Sequence, residues 1–378
     1  MIFSCLALVY LTCSHAFGLA MLKYFETLNE IHASSYVKRS DGDQRLIKHL
    51  EFTVFQRTFQ LTLSSGSSLL SKDFKAHLVD GEGRMKSYTV DQTQVFSGHL
   101  TGLSFTLSNF FVDNEDAPVT AYMGDNFWSI HIFDENETYA IEPARNLLTS
   151  AENPENDTYI AYRGTDLRNE DEHCAAVNPE NFGDDFFTNI PQMPYWKPGY
   201  MSPERNPMEN TCYLYYAADY YFYSRRCRNH HAICTSLMIN SLETVDRIFR
   251  QSKFLGPYGN VITDIGFQIG MLVLFVSPSA SHHFNKVHFN ARDVAWTMDL
   301  KLESFSHWTS SLPKLYCHNH LLTSYLMPKQ VLGIAYLNGL CDWRGYINSA
   351  VTTDESVTGS IPSLMLNLVI AHELGSFI

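Results

Sequence analysis

The stretch that decides the fold is Leu364-Met365-Leu366-Asn367-Leu368-Val369-Ile370-Ala371-His372-Glu373-Leu374. It is apolar almost throughout, longer than an ordinary strand and too short to cross a membrane, so it predicts a buried helix. The last turn of that helix carries His372 and Glu373, and Gly375-Ser376 follows. The rest of the chain has to supply the sheet against which this helix packs.

Upstream of this helix, strand and helix patterns alternate from Pro207 onward. Apolar residues recur at helical spacing over Ile233–Phe249 and Val294–Phe305, and the second helix is predicted to open after Asn290, a good N-cap. The strands predicted around these helices are Cys212–Ala218, Phe267–Val276, Leu315–Cys317 and Leu332–Tyr336. Such alternation predicts a mixed sheet with helices packed on it.

The N-terminal part of the chain shows a different pattern, in which apolar and polar residues alternate with a period of two. Phe59, Leu61 and Leu63 are separated by polar residues, and residues 128–132 repeat the alternation. This pattern predicts half-buried strands. We therefore expect a β-rich N-terminal domain followed by a mixed α/β domain.

A proline-rich stretch separates these two patterns. Six of the fourteen prolines fall between Pro179 and Pro207, which favours an extended segment. The segment is either a linker or a propeptide stretch laid across a cleft, with Cys174 just upstream. The predicted division is 17–170 for the β-rich domain, 171–205 for the linker and 206–378 for the α/β domain.

The first residues predict a secretory signal peptide, residues 1–16. Ile2 to Leu11 is uncharged and apolar, and Ser14-His15-Ala16 offers small residues for cleavage. A membrane anchor is the alternative, but the apolar run is much shorter than the ~20 residues that a span needs. Secretion predicts glycosylation at Asn136 and Asn156, and disulfides among the cysteines beyond the signal. These cysteines are Cys174, Cys212, Cys227, Cys234, Cys317 and Cys341.

Composition narrows the classes of function. The chain has 378 residues, 45% of them hydrophobic and 18% charged, which is typical of a globular protein. The net charge of −13 argues against nucleic acid or an anionic membrane surface as the main partner. The histidine pairs His282/His283 and His318/His320 lack a third ligand at a suitable spacing, so we interpret them as ordinary surface or satisfied histidines.

His372 and Glu373 match the first half of the zinc motif H-E-x-x-H. On a helix the complete motif places two histidines on one face, where both bind zinc, and the glutamate acts as general base on the metal-bound water. Here Ser376 stands at the position of the second histidine. Alone, such a string occurs by chance, and a His-Glu pair on a helix is more often an ordinary surface pair.

Several short motifs, in order over roughly residues 50 to 375, resemble the ADAM metalloproteases and are closest to the tumour-necrosis-factor-alpha-converting enzyme branch. The sequence Y-A-I-E-P is similar to the family's Y-N-I-E-P, N-P-M-E-N-T-C to D-P-M-K-N-T-C, L-G-I-A-Y to L-G-L-A-Y, and A-H-E-L-G to T-H-E-L-G. These motifs are Tyr139–Pro143, Asn206–Cys212, Leu332–Tyr336 and Ala371–Gly375, and further similar stretches are Phe74–Gly81, Tyr88–Val90, Phe96–His99 and Ala218–Tyr223.

The resemblance implies a fold class and a set of roles. The fold class is α+β, a β-rich prodomain followed by a metzincin-like α/β metalloprotease domain that is truncated at the zinc helix. His372 would be the first zinc ligand and Glu373 the general base. The strand containing Gly333, Ile334 and Ala335 would bind an extended substrate through main-chain hydrogen bonds, although a plain core strand is the alternative.

The resemblance also assigns the cysteines. Cys174 lies where the family has its propeptide cysteine, whose thiolate can occupy the open zinc position and keep the enzyme inactive. The local sequence E-H-C-A departs from the family's P-K-V-C-G, and a structural cysteine is the alternative. The expected pairs are Cys212 with Cys317, from the resemblance, and Cys227 with Cys234, from proximity, which leaves Cys341 without a partner.

Three functions remain open at this stage. The family implies a zinc endopeptidase that sheds membrane-anchored proteins, but one histidine cannot hold catalytic zinc, so we expect this chain to bind none and to be inactive. A secreted, non-catalytic binding or decoy protein that contacts a full-length relative is the second possibility. An incomplete record of a membrane-bound protease is the third. All three place the chain in the secretory pathway, secreted as written or at the cell membrane for a full-length family member.

Overall fold

A computed structural model describes residues 17–40, 43–104, 117–148, 158–168, 173–177, 210–255, 261–280, 282–283, 286–340, 342 and 345–376. The predicted signal peptide, Asn156, Cys341 and nearly all of the proline-rich segment lie outside these residues. The described residues form two large sheets, with helices between them and on one outer face. The predicted fold class, a β-rich part with a mixed α/β part, is confirmed.

The first sheet contains nine antiparallel strands, all from the N-terminal part of the chain. Strands are numbered along the whole chain, and those of this sheet are β1 (Glu26–Leu28), β2 (His32–Ser40), β3 (Asp43–Val54), β4 (Arg57–Ser65), β7 (Val95–Ser104), β8 (Pro118–Gly124), β9 (Phe127–Phe133), β10 (Thr138–Pro143) and β11 (Tyr159–Arg163). Their order is β1-β11-β10-β9-β8-β7-β4-β3-β2. Phe59, Leu61 and Leu63 are buried on one face, as the alternation predicts.

The second sheet is mixed and contains eight strands. They are β5 (Leu70–Val79), β6 (Met85–Ser87), β12 (His173–Val177), β13 (Thr211–Ala218), β16 (Gly266–Phe275), β19 (His318–Thr323), β20 (Val331–Tyr336) and β21 (Ser349–Thr353), in the order β12-β20-β21-β19-β13-β16-β5-β6. The central strands are parallel, and β20 runs antiparallel to β21. At the outer edge β12 lies parallel to β20.

The N-terminal part of the chain also contributes to the second sheet. β5 pairs in parallel with β16, with Ala76 opposite Leu272 and Leu78 opposite Leu274. β6 then pairs with β5 at the edge of the sheet. The segment expected to form a β-rich domain therefore supplies strands to both sheets.

Within the described residues, four helices complete the layers: α1 (Tyr220–Arg225), α2 (His231–Gln251), α3 (Met298–Ser310) and α4 (Ser363–Gly375). α2 packs between β8 of the first sheet and β16 of the second, and α4 packs on α2, β20 and β21. α3 covers the opposite face of the second sheet. The run Leu364–Leu374 is thus a buried helix, as its composition predicts.

Smaller elements connect these layers. The short ribbons are β14 (Lys253–Leu255) with β15 (Val261–Thr263), β17 (His282–His283) with β18 (Lys286–Val287), and β22 (Glu355–Ser356) with β23 (Gly359–Ser360). Single 3-10 turns cover Phe17–Met21, Gln92–Gln94, Ala144–Asn146, Gly164–Asp166 and Pro328–Gln330. None of the described helices is long and apolar enough to cross a membrane.

Two predicted boundaries are wrong. α3 begins at Met298, because the Thr297 side chain accepts a hydrogen bond from the amide of Leu300 and caps the helix there. Asn290 is buried instead, and its side-chain oxygen accepts a hydrogen bond from the amide of Tyr220 at 2.7 Å. The strand expected at 315–317 also starts later, at the first residue of β19.

The two expected disulfides are confirmed. Cys212 at the start of β13 is bonded to Cys317, 105 residues later and next to the start of β19. Cys227 is bonded to Cys234 across the connection from α1 to α2. Among the cysteines that the structure describes, Cys174 is outside both bonds.

Candidate metal centre

The last turn of α4 carries one exposed and one buried polar side chain. His372 is exposed, whereas Glu373 has 0% of its surface accessible to solvent. The helix packs by its apolar residues, among them Leu366, Ile370 and Leu374. This packing turns Glu373 inward, towards the outer strands of the second sheet.

Glu373 lies directly on Gly333 of β20. A Cβ atom at Gly333 would be 2.4 Å from Glu373 Oε1 and 2.8 Å from its Cγ. Any side chain at Gly333 would therefore displace the carboxylate. Glycine here permits the close approach of the helix to the strand.

Cys174 reaches the same place from β12. It lies opposite Gly333 in the pairing of β12 with β20, and directly paired residues share a face of the sheet. The Cys174 thiol is close enough to the Glu373 carboxyl group to lower its pKa. Ligand atoms of Cys174, His372 and Glu373 all lie within 4.8 Å of one another. The fold thus brings together three residues that the sequence singles out separately.

The Glu373 carboxylate has few polar neighbours. Burial raises its pKa to about 8, and the Cys174 thiol opposes that shift. In the part of the chain that the structure describes, no nitrogen or oxygen donor reaches either carboxylate oxygen. A buried carboxylate in such surroundings is costly unless it is protonated or paired with a cation.

β12 covers the outer edge of β20. Ala175 lies opposite Ile334 and Ala176 opposite Ala335, and the amide of Leu337 donates to the carbonyl of Val177 at 2.9 Å. The edge that the resemblance assigns to an extended substrate is therefore paired with the chain's own strand.

Ser376 does not replace the second histidine of the motif. Its hydroxyl donates to the carbonyl of His372 at 3.1 Å, within the end of the helix. The side chain is thus engaged by the helix main chain. α4 consequently offers one imidazole where the full motif offers two.

The other end of α4 is held by the first sheet. Glu142 of β10 accepts hydrogen bonds at Oε1 from the amide of Ser363 and from the Tyr162 hydroxyl, both at 2.8 Å. The Tyr162 oxygen in turn accepts a hydrogen bond from the amide of Leu364 at 3.2 Å. These contacts satisfy amides that a helix N-terminus leaves without intrahelical partners, and a carboxylate is electrostatically favourable there.

Glu142 also belongs to a buried ion cluster. Arg226 Nη2 lies 3.4 Å from Glu142 Oε2, and Arg226 Nε lies 3.6 Å from Asp354 Oδ2. All three side chains are buried, and burial raises the pKa of Asp354 to about 6 while Arg226 opposes the shift. The cluster joins the first sheet, the end of α1 and the segment before α4.

Comparison with known proteins bears directly on this site. Residues 231–377, which include α2, β20 and α4, match the Reprolysin-like metallopeptidase family M12B. Two ADAM proteins also match. These similarities support an ADAM-type metalloprotease.

The ADAM-type relatives are distant and longer. A Caenorhabditis elegans homologue of disintegrin and metalloproteinase domain-containing protein 17 is 25% identical over 197 residues, 45% of this chain and 28% of the relative. Disintegrin and metalloproteinase domain-containing protein 10 of Xenopus laevis is 20% identical over 383 residues, 93% of this chain and 47% of the relative. The chain thus spans less than half the length of either relative.

Among solved structures, the chain is similar to metalloproteinase-II from Bacteroides fragilis. The superposition covers 92% of this chain and 80% of the other, with 10% identity and a TM-score of 0.38.

His318 and His320 do not join the site of Cys174, His372 and Glu373. His318 and His320 are buried on β19, with His318 Nε2 3.3 Å from His320 Nδ1 and His320 Nε2 3.0 Å from Thr352 Oγ1. The side chains of His282 and His283 lie outside the described structure.

Sequence reasoning missed the contacts of Glu142, although Y-A-I-E-P places this glutamate in an otherwise apolar strand.

Acidification should destabilise the chain partly through His131. This buried imidazole lies 3.0 Å from Ser363 Oγ and 3.3 Å from Thr244 Oγ1, and burial lowers its pKa from 6.5 to about 4. Its neutral form therefore contributes stability above pH 6.5 that is lost as the pH falls towards 4, up to roughly 3 kcal/mol.

Urea unfolding of wild type and His131→Gln at pH 7 and pH 4.5 measures this contribution. We expect the variant to lose less stability than wild type between the two pH values. His32→Gln, at an exposed histidine, should behave as wild type. The same loss in wild type and His131→Gln would contradict this role of His131.

Proposed function

We propose that this chain has the closed, zymogen-like arrangement of an ADAM-type zinc metallopeptidase, with its own β12 segment on the substrate edge, and that it is inactive as written. The observation that carries the proposal is the convergence of Cys174, His372 and Glu373 within 4.8 Å. In an active enzyme of this family, the histidine that corresponds to His372 binds zinc, and the glutamate that corresponds to Glu373 acts on water. A thiolate between them is suited to take the position that water needs.

The pairing of β12 supports the same proposal. An extended substrate would bind through main-chain hydrogen bonds along the free edge of β20, at Gly333, Ile334 and Ala335. Those positions face Cys174, Ala175 and Ala176 of β12. Because one strand edge accepts one partner, substrate can bind only after β12 has left.

The residues present do not fit a catalytic zinc site of the family. Such a site uses about three protein ligands and supplies a Lewis acid that activates water. Ser376 stands where the second histidine would be, and its hydroxyl is bonded to the carbonyl of His372. We therefore propose that this polypeptide hydrolyses no peptide bond, and that shedding of membrane-anchored proteins belongs to relatives with the complete motif.

A protease assay tests this part of the proposal. We expect no cleavage of a mixed fluorogenic peptide library by the purified chain, by Glu373→Ala or by Cys174→Ser, with a complete-motif ADAM peptidase as the positive control. Cys174→Ser matters because it removes the blocking thiol without touching the helix. Cleavage that appears with wild type or Cys174→Ser and is abolished by adding Glu373→Ala would contradict the proposal.

The alternative is a secreted binding or decoy protein. Ser376 favours it, because the change removes a zinc ligand and leaves the packing of α4 intact. Such a protein would act by contacting a full-length relative in the secretory pathway. Mixing the chain with an active ADAM peptidase distinguishes the decoy from the closed, zymogen-like chain. A decoy lowers the rate of the peptidase in proportion to the concentration of the decoy, whereas a closed, inactive chain leaves that rate unchanged.

A further inference from the structure

We propose that β2, the edge strand of the first sheet, pairs antiparallel with β2 of a second copy of this chain, in a symmetric register centred on Ser34. The two sheets would then join into one continuous sheet across a two-fold axis. The surface belongs to the first sheet, so the inference is independent of the site formed by Cys174, His372 and Glu373.

The outer edge of β2 is open in the described part of the chain. β2 is the last strand in the order of the first sheet, and β3 is the one described strand that pairs with it. Its nine residues, His32–Ser40, exceed the usual strand length of about five or six, and they include no proline. The pairing with β3 is free of register shifts, so no bulge blunts the edge. The edge therefore presents a row of backbone amides and carbonyls to a further strand.

Two neighbouring hydrophobic side chains of β2 are exposed. Tyr36 is 51% and Val37 is 54% exposed, and because neighbours in a strand point to opposite faces, each face of the edge carries one of them. The side chains of 32–38 are all exposed, so no described segment covers them. A long, exposed edge strand with apolar side chains is a surface that pairs with another chain.

The sequence of this edge is complementary to itself in one antiparallel register. With Ser34 opposite Ser34 of the second copy, Ile31 of one copy lies opposite Val37 of the other, and Glu30 lies opposite Lys38. The two-fold symmetry forms each of these pairs twice. Directly opposite side chains have Cβ atoms about 4.5–5.5 Å apart, where apolar pairs and opposite charges stabilise the pairing of two strands.

The aromatic side chains fit the same register. Tyr36 of one copy lies opposite His32 of the other, on the face that also carries Glu30 and Lys38. The Tyr36 ring stacks on His49 of β3, with ring centroids 5.6 Å apart, so it already lies along the sheet. Cross-strand pairs that contain aromatic rings are stabilising. A shift of two residues in the register would instead place Lys38 opposite His32 and leave Glu30 without a cation opposite it.

A charge conflict within the hairpin of β2 and β3 favours the same occupant. Lys38 lies directly opposite Arg45 of β3, and both side chains are exposed. Like charges at directly opposite positions destabilise a pair of strands. In a dimer, Glu30 of the second copy would lie on the other side of Lys38 and offset this repulsion. Within one chain, Glu30 lies beside His32, at 3.5 Å from its Nδ1.

Sedimentation equilibrium of the whole chain between about 1 and 200 µM tests the pairing. We expect a monomer–dimer equilibrium with a Kd on the order of 10 µM, because an interface one strand wide is small. Glu30→Lys and Lys38→Glu should each weaken dimerisation at least about 10-fold, since each substitution creates two pairs of like charges. Glu135→Lys, a charge reversal in the exposed turn between β9 and β10, should dimerise as wild type does.

Combining the two charge reversals separates pairing from damage to the fold. A mixture of Glu30→Lys with Lys38→Glu should associate as a heterodimer, because every pair across the two strands again joins opposite charges. The double variant, Glu30→Lys with Lys38→Glu in one chain, should form a homodimer for the same reason. Circular dichroism confirms that each variant is folded.

Ser34→Cys tests the register. Directly opposite residues have Cα atoms about 4.5–5.5 Å apart, a distance that a disulfide can span. Mild oxidation should therefore give a dimer linked through position 34, which peptide mapping identifies. Ser87→Cys, at an exposed position of the edge strand β6 in the second sheet, should give no such dimer.

Two results would overturn the inference. One is a wild-type chain that remains monomeric over the whole concentration range and does not cross-link as Ser34→Cys. The other is a dimer that Glu30→Lys weakens no more than Glu135→Lys does, which would place the interface on another surface or with another segment.

Discussion

Glu142→Gln should lower the free energy of unfolding by about 3 to 5 kcal/mol, because it leaves a buried guanidinium with an incomplete set of partners. Glu142 is 0% exposed and lies 3.4 Å from Arg226, and it also accepts the hydrogen bond from the amide of Ser363. The substitution therefore removes an ion pair and weakens the cap of α4 together. Urea unfolding followed by circular dichroism measures the change.

A matched control isolates the buried contacts from the loss of charge alone. Glu135→Gln removes one negative charge from the exposed turn between β9 and β10, and we expect it to change stability by less than about 0.5 kcal/mol. In a double-mutant cycle, Glu142→Gln and Arg226→Met should couple by at least about 1 kcal/mol. Equal unfolding midpoints for Glu142→Gln and Glu135→Gln would contradict this role.

Gly333→Ala should disrupt the packing of Glu373 against β20. The added Cβ would lie 2.4 Å from Glu373 Oε1 and 2.8 Å from its Cδ, so the buried carboxylate must move. Overpacking of this kind costs about 1 to 3 kcal/mol. Urea unfolding followed by circular dichroism measures this loss of stability.

Gly375→Ala is the matched control for that substitution. It adds the same methyl group at the end of the same helix, where the nearest atom, Phe249 Cζ, is 3.9 Å away. We expect Gly375→Ala to keep the wild-type urea midpoint. If Gly333→Ala is as stable as Gly375→Ala, the contact between Gly333 and Glu373 does not organise the site.

The sequence predicted the elements whose signals are local. The apolar run before His372 predicted a buried helix, and the period-two alternation around Phe59 predicted strands. The family resemblance predicted the bond between Cys212 and Cys317. The first two patterns each lie within one segment, whereas the disulfide joins residues 105 positions apart and was predicted from the resemblance. The fold class followed from the same signals.

The features that the sequence did not predict depend on contacts between distant segments. Nothing near Leu70 indicates that β5 leaves the first sheet and pairs with β16. Asn290 resembled an N-cap, but tertiary hydrogen bonds to other segments engage it and the helix starts at Thr297. The cap that Glu142 provides for α4 joins residues 221 positions apart, and no local periodicity encodes such a contact.

The candidate site was predicted in its parts and not in its arrangement. Cys174, His372, Glu373 and the strand at Gly333 were each identified from short motifs. Their convergence required β12 to pair with β20 in a defined register, with Cys174 opposite Gly333. That register is a property of the folded chain.

The reactivity of Cys174 tests the central proposal most directly. The native chain is alkylated with iodoacetamide, and the labelled residues are identified by peptide mapping against the urea-unfolded chain. A chain closed by β12 should label at Cys174 at least about 10-fold more slowly than the unfolded chain. Labelling of Cys174 at the same rate in the native and unfolded chains would contradict the closed arrangement of Cys174, His372 and Glu373.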